Sequence, residues 1–427
     1  MTVFIQRTVH RHLLRTAWLW AAVWTSLICG NACARSPAQT DLPFVGYGSE
    51  TRGGEGGRVM WVDPGSGDST LDHMPCTRSA PCQLRTALHT TQPRIIRFTA
   101  GGTIDLNQPL VLTERHSFVT VDGASAPSPG ITISGNQPII IRGSGPENTD
   151  DPRYATGHMV FSHLRLKGTG PVWSLSIDGQ HGLVHHVVFD HLTWTMQDLA
   201  IEEPKMVIWY RAENITVSNM LFYDAYKGLQ ISGMQNDIVK HRIDGVSLTR
   251  SVFYNVRHRQ PILRSHVHNV DVVNNIMRNY AFSNFSDSVT RIRNRADEPR
   301  VRWVNVINNS YQSPHNSFNE QARSIIFGES PGADRDDGGP AKCSSQGDVH
   351  TNTQMGEIWV AGNTLPSAAC DVYSTTRTEI ARPAYARIPA HPAVSLCTIV
   401  PQEVGMAYPN ERERQIKQQL AECDSSE

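Results

Sequence analysis

The amino-acid sequence predicts an all-β solenoid, a stack of short coils that each add strands to growing sheets. Three observations predict it: β runs recurring every 24 to 34 residues, strict alternation within each run, and asparagines where several runs end. The runs are Val187-Val-Phe-Asp-His, Ile215-Thr-Val-Ser-Asn, Val246-Ser-Leu-Thr-Arg, Val270-Asp-Val-Val-Asn-Asn and Val304-Asn-Val-Ile-Asn-Asn, separated by steps of 28, 31, 24 and 34 residues. Alternation puts one face of each run inward and one outward. A period of this size built from strands marks a solenoid, because a single coil cannot bury its own apolar face and must stack on its neighbours. Asn219, Asn274 and Asn308 follow three of the runs. Asparagine tolerates left-handed backbone and suits the sharp turns a coil needs. The unequal steps imply loops of different length on one side of the stack, where a binding cleft would be built. A propeller, the competing architecture, would need longer and more regular repeats.

Composition agrees with this class. The chain has 427 residues, 39% of them hydrophobic, enough for one large core or two ordinary ones. Its 32 glycines and 25 prolines favour a turn-rich β protein. A formal net charge of -1 gives no general electrostatic footprint for nucleic acid.

The N-terminus reads as a secretory signal peptide over residues 1–34. Arg7, Arg11 and Arg15 form a basic region, Ala17 to Cys29 is apolar, and Ala32-Cys33-Ala34 offers a small-residue cleavage site. The apolar run is short for a membrane span. The mature chain is therefore expected to be secreted, or periplasmic in a Gram-negative source, with no membrane attachment. Cleavage leaves Cys76, Cys82, Cys343, Cys370, Cys397 and Cys423, an even set consistent with disulfides in an oxidising compartment. Cys76 and Cys82 enclose a short proline-containing loop and are the readiest pair to propose; the connectivity of the others stays open. Residues 35–380 are assigned to the solenoid. Residues 381–427 form a C-terminal extension packing on or capping it, with a charged helical stretch from Glu411 to Cys423. Asp334-Arg-Asp-Asp337 sits in a long loop rich in glycine and proline.

A family resemblance enters through motifs in a fixed order. These are Phe44-Val-Gly-Tyr-Gly, Gly53-Gly-Glu-Gly-Gly-Arg-Val, Gln83-Leu-Arg-Thr-Ala-Leu, Pro93-Arg-Ile-Ile-Arg-Phe, Gly102-Thr-Ile-Asp-Leu, Val121-Asp-Gly, Gly130-Ile-Thr-Ile, Asp190-His191, Ile215-Thr-Val-Ser and Val273-Asn-Asn. Their succession resembles polysaccharide lyase family 1, the pectate and pectin lyases, from about residue 44 to about 310. Trp359-Val-Ala-Gly-Asn echoes that family's last coils. The resemblance implies a single-stranded right-handed parallel β-helix. It also implies β-elimination on a polyuronate, which needs a base near C5 and positive charge near the C6 carboxylate, where enolate charge develops.

A basic cluster is placed to meet that demand. Arg259-Gln-Pro261-Ile-Leu-Arg264 resembles the family's R-x-P-x-x-R motif, in which the first arginine is the catalytic base. Lys227 falls where the family places a substrate-binding lysine, and Arg264 is assigned to substrate as well. In a solenoid Lys227 and Arg259 are expected to begin equivalent strands of adjacent coils, about 4.8 Å apart. A guanidinium is ordinarily always protonated, so a basic arginine requires positive neighbours that disfavour its charged form.

The family's calcium site is matched poorly. Its ligand positions fall here on Pro171, Trp173, Glu203 and Val207, and only Glu203 keeps a carboxylate; Asp198 and Glu202 lie near it in sequence. A hard divalent cation wants about six oxygen ligands, several of them charged. Calcium is thus an expected cofactor with Glu203 as its one matched ligand. Trp173, with Trp194 and Trp209, suggests an apolar cleft in which Trp173 stacks on an esterified sugar. The expected function is a secreted, monomeric lyase of pectate or methylated pectin. The alternative is a catalytically silent β-helix that binds polysaccharide or acts as an adhesin.

Overall fold

The structure is a computed structural model that describes residues 44–68, 75–198, 205–233, 241–279, 290–294, 301–312, 325–329, 358–364, 372–374, 386 and 388–422. It is a parallel β-helix. The chain visits three parallel sheets in turn, and every described pairing joins strands one coil apart. A representative coil runs Thr156–Ser162 in sheet A, Leu164–Gly168 in sheet B and Ser174–Asp178 in sheet C, then re-enters sheet A at Val184–Asp190. Among the described residues the sheets hold 10, 8 and 9 strands respectively.

The repeat seen in the sequence is the register of sheet A. Val187, Ile215, Val246, Val270 and Val304 pair in one continuous lateral row. All five are fully buried, so a one-residue slip would turn the whole row outward. The corner from sheet A to sheet B is a second row, formed by His163, His191, Asn219, Arg250, Asn274 and Asn308, each with φ between 49° and 55° except Asn274 at 61°. The three asparagines expected at turns lie here. Inside the corner a buried ladder runs between coils: Asn275 Nδ2 donates to Asn309 Oδ1 and Asn309 Nδ2 to Asn363 Oδ1, both at 2.9 Å. These amides satisfy one another where water cannot reach.

The ends of the chain dress the outer faces. The N-terminal strap lies against sheet A: Gly48 N–H donates to Thr216 Oγ1 and Gly54 N–H to Thr120 Oγ1, both at 2.9 Å. Its glycine run has a steric reason, since a Cβ on Gly54 would sit 1.8 Å from the Arg94 carbonyl oxygen. At the other end, helix Glu411–Ala421 is capped by a reciprocal Asn410–Glu413 box. With helix Leu396–Glu403 it buries Leu396, Val400, Val404, Ile416 and Leu420 against Leu221, Tyr223, Val252, Tyr254 and Ile276 of sheet B. Arg165 clamps it there through a bidentate pair with Glu413, at 2.7 and 2.8 Å, with both partners buried. The extension therefore covers a flank of the stack. Cys76 and Cys82 form a disulfide, and Cys397 is disulfide-bonded as well. Among the described residues no helix is long and apolar enough to cross a membrane.

Candidate active site

Sheet C carries the site because its alternation sorts the side chains. Leu175, Ile177, Met206, Ile208, Leu229, Ile231 and Leu263 point inward and are at most 3% exposed. The residues between them line the outer face. The register sets them in two rows, Ser176–Val207–Gln230–Ile262 and Asp178–Trp209–Ser232–Arg264.

The cations gather where sheet B turns into sheet C. Lys227 is the last residue of strand Leu221–Lys227, and Arg259 directly follows strand Val252–His258. Both therefore close sheet B strands, whereas the sequence pattern places them at strand starts. They are also one step out of register: Lys227 pairs with His258, while Leu229 N–H donates to the Arg259 carbonyl at 2.8 Å. The sheet B register runs unbroken from Leu221–Val252 to Lys227–His258, so Arg259 falls one residue beyond it; its left-handed turn, φ 65°, then redirects the chain towards sheet C. Glycine at 228 allows the two turns to stack, because a Cβ there would meet the Arg259 carbonyl at 2.6 Å.

From this turn the Arg259 guanidinium reaches back to the preceding coil. Its Nη1 donates to Gln230 Oε1 at 2.6 Å. Gln230 belongs to the outward set, so the guanidinium lies over the outer face of sheet C. Arg264 closes strand Ile262–Arg264 on the same face, beside Ser232 of the preceding coil. Tyr226 gathers one further charge beside Lys227, with Arg257 Cζ 5.4 Å and Lys227 Nζ 5.8 Å from its ring centre. The structure thus brings Lys227 and Arg259 to the same turn of adjacent coils, where the chain enters sheet C, and sets Arg264 at the far end of the strand that follows Arg259. Sequence reasoning misses Arg257, Tyr226 and Gln230. For Gln230 a signal exists, since Leu229-Gln-Ile-Ser is a short alternating run that must turn its glutamine outward.

Trp173 requires a correction. It is fully buried, stacked on the equally buried Trp194 at 6.0 Å between ring centres inside the coil. An interior indole cannot stack on a sugar; its role is core volume. Trp209 alone of the three tryptophans lies on the outer face of sheet C. Asp190 and His191 also lie away from the cleft. Asp190 accepts from Ser218 and Asn219 at the corner after sheet A, and its Oδ2 lies 2.7 Å from His191 Nδ1.

The described donors fit a calcium site poorly. Along the outer face, Ser174, Ser176, Gln230 and Ser232 offer neutral oxygens, Val207 offers none, and Asp178 is the carboxylate among them. Asp178 Oδ1 already accepts from Gln180 N–H at 3.1 Å. Glu203 and Glu202 lie outside the described residues. One carboxylate and a few hydroxyls are a weak donor set for a hard dication.

Comparisons with known proteins agree with the fold. No protein-family model matches the chain. It is 28% identical over 240 residues to a probable pectate lyase C of Emericella nidulans, which covers 54% of this chain and 46% of that one. It is 27% identical over 221 residues to a probable pectate lyase C of Aspergillus fumigatus, covering 51% and 43%. The chain spans less than half the length of these relatives. Among solved structures, a cedar pollen major allergen superposes with a TM-score of 0.57 at 15% identity, covering 85% of this chain and 93% of the other. A pectate lyase variant from Xanthomonas campestris superposes with a TM-score of 0.50 at 14% identity, covering 86% and 98%. The fold is the parallel β-helix that pectate lyase structures share. Over about half its length the chain is also similar in sequence to curated pectate lyases.

Proposed function

We propose that this protein is a secreted lyase that cleaves pectic polygalacturonate by β-elimination, with Arg259 as the base. The observation that carries the reading is the joining of Arg259 to Gln230 across the outer face of sheet C, with Lys227 at the same turn of the neighbouring coil and Arg264 on the outer face at the end of the strand that follows Arg259. A row of cations on a sheet face suits an extended polyanion whose carboxylates recur along the chain.

Each residue has a role in the step. Arg259 takes the C5 proton. The electron pair left at C5 forms the C4–C5 double bond, and the C4–oxygen bond breaks; the departing oxygen is then protonated. Lys227 and Arg264 face the C6 carboxylate and stabilise charge that builds on it in the transition state. Their positive charge also disfavours the protonated form of Arg259, the condition under which a guanidine can accept a proton. Gln230 orients the guanidine by accepting from Nη1, so that its plane is fixed before substrate arrives. Calcium, when present, would add positive charge at the substrate carboxylates. No step is assigned to it, because the described donors are too few. The signal peptide and export belong to this proposal and place the enzyme where pectic polymers occur.

The test is to incubate purified protein with pectate, methylated pectin and alginate and follow the ultraviolet absorbance of unsaturated uronide. A rise on pectate or pectin that vanishes in Arg259→Lys supports the reading. A flat trace on all three, with polymer still retained on the protein, replaces it with the silent polysaccharide binder, which the sparse carboxylates of the cleft would favour.

A further inference from the structure

Sheet A, which contributes nothing to the cleft, carries a histidine cluster with an arrangement of its own. His158 and His186 occupy equivalent left-handed positions of adjacent strands, φ 54° and 51°, and their rings stack at 4.9 Å with 21° between planes. His185 stands edge-on to both, at 5.3 Å from His158 and 5.1 Å from His186, each at 87°. One ligand nitrogen from each ring lies within 4.8 Å of the others. All three side chains are half-buried beneath the N-terminal strap, whose Thr51 Oγ1 donates to the His186 carbonyl at 2.8 Å.

The nitrogens face inward. His185 Nδ1 and His186 Nδ1 are 2.9 Å apart, so one proton is shared between two ring lone pairs. His158 Nδ1 accepts a long bond of 3.2 Å from Arg52 N–H, which fixes that nitrogen as a lone-pair donor as well. Burial, above all, holds all three rings below the ordinary histidine range, which leaves them neutral at pH 7. Glu50 and Glu213 act on His186 from the strap and the next coil and favour added positive charge, while Arg52 opposes it at His158.

We propose that His158, His185 and His186 form a binding site for one divalent transition-metal ion, pinning the N-terminal strap to two coils of sheet A. Neutral imidazole is the preferred ligand of zinc, copper and nickel, not of calcium. Metal–nitrogen bonds of about 2.0–2.1 Å place neighbouring ligand nitrogens about 2.9–3.4 Å apart. The His185–His186 pair has this separation already; His158, with a ligand nitrogen within 4.8 Å of both, completes the set by turning its ring out of the stack on His186. The ion would replace the shared proton and the long Arg52 bond, and solvent or a carboxylate would complete its shell. The site lies on a different sheet from Arg259, so it is independent of the lyase chemistry and its test does not depend on that reading.

The experiment uses the mature chain without a polyhistidine tag, stripped with chelator and titrated with zinc chloride and, separately, copper chloride. The expected result is one tightly held equivalent of zinc, a raised thermal midpoint with zinc, and a copper resonance spectrum showing coupling to several nitrogens. His185→Gln and His186→Asn should each weaken zinc binding by at least about tenfold. Asparagine at 186 keeps the backbone, because Asn214 holds the same left-handed position on the next coil, φ 57°. Pectate cleavage by these variants should be unchanged. Equal zinc affinity in wild type and both folded variants, or no zinc retained by the wild type at micromolar concentration, overturns the site.

Discussion

Replacing Arg259 by lysine isolates the proposed base from its charge. Lysine keeps the positive charge at the turn but not the planar fork that reaches Gln230 Oε1 at 2.6 Å. A positioned proton acceptor contributes roughly 10²–10⁴ to rate. Arg259→Lys should therefore lose at least about 100-fold in kcat, about 2.7 kcal/mol of transition-state stabilisation. Its KM should change little, because Lys227 and Arg264 still meet the carboxylates. Gln230→Leu tests the orientation separately. It removes one hydrogen bond to a charged group, worth about 1.5–3 kcal/mol, so the loss should lie between about tenfold and 100-fold. Initial rates on pectate and far-UV spectra of both variants decide the matter. A folded Arg259→Lys enzyme within tenfold of wild type would refute the base assignment. A normal Gln230→Leu enzyme would show that Gln230 does not hold the guanidine in the reacting state.

Further outcomes follow from the same geometry. Lys227→Ala should weaken substrate binding and turnover together, read as a raised KM with a lowered kcat. Chelator should slow the enzyme little on esterified pectin and more on polygalacturonate, where the substrate itself supplies carboxylates; complete loss on both, restored by calcium, would mean that Asp198, Glu202 and Glu203 build a strong site. Glu413→Ala should cost about 3–5 kcal/mol in denaturant unfolding, because it strands the buried Arg165 guanidinium. His116, His163 and His268 are lowered from 6.5 to about 4, mainly by burial. Between those values the unfolded chain binds protons that the folded chain does not, so stability is full above about 6.5 and falls as pH drops towards 4; thermal midpoints across that range should decline steadily. The mature protein should begin near Arg35 and carry at most one free thiol, as N-terminal sequencing and thiol titration would show.

The sequence by itself determined the coil. Period-two alternation, steps of 24 to 34 residues and asparagine at the turns are local signals, and each depends only on backbone geometry and burial within one strand. That is why the residue pattern alone aligns Val187, Ile215, Val246, Val270 and Val304 correctly. Cys76 and Cys82 were legible for the same reason, being neighbours along the chain. The cations Lys227, Arg259 and Arg264 were legible as residue types in a motif, but their placement was not. The sheet B register pairs Lys227 with His258, which leaves Arg259 one residue beyond its strand and puts both cations at strand ends. Trp173 misled because an aromatic beside a cleft and an aromatic inside a coil have the same local pattern; only the stacking of Trp194 from the next coil decides it. Gln230 and the His158–His185–His186 cluster are likewise products of stacking. Their partners lie 27 to 29 residues apart along the chain, or on adjacent positions crossed by a neighbouring strand, and the parallel register alone brings them within bonding distance.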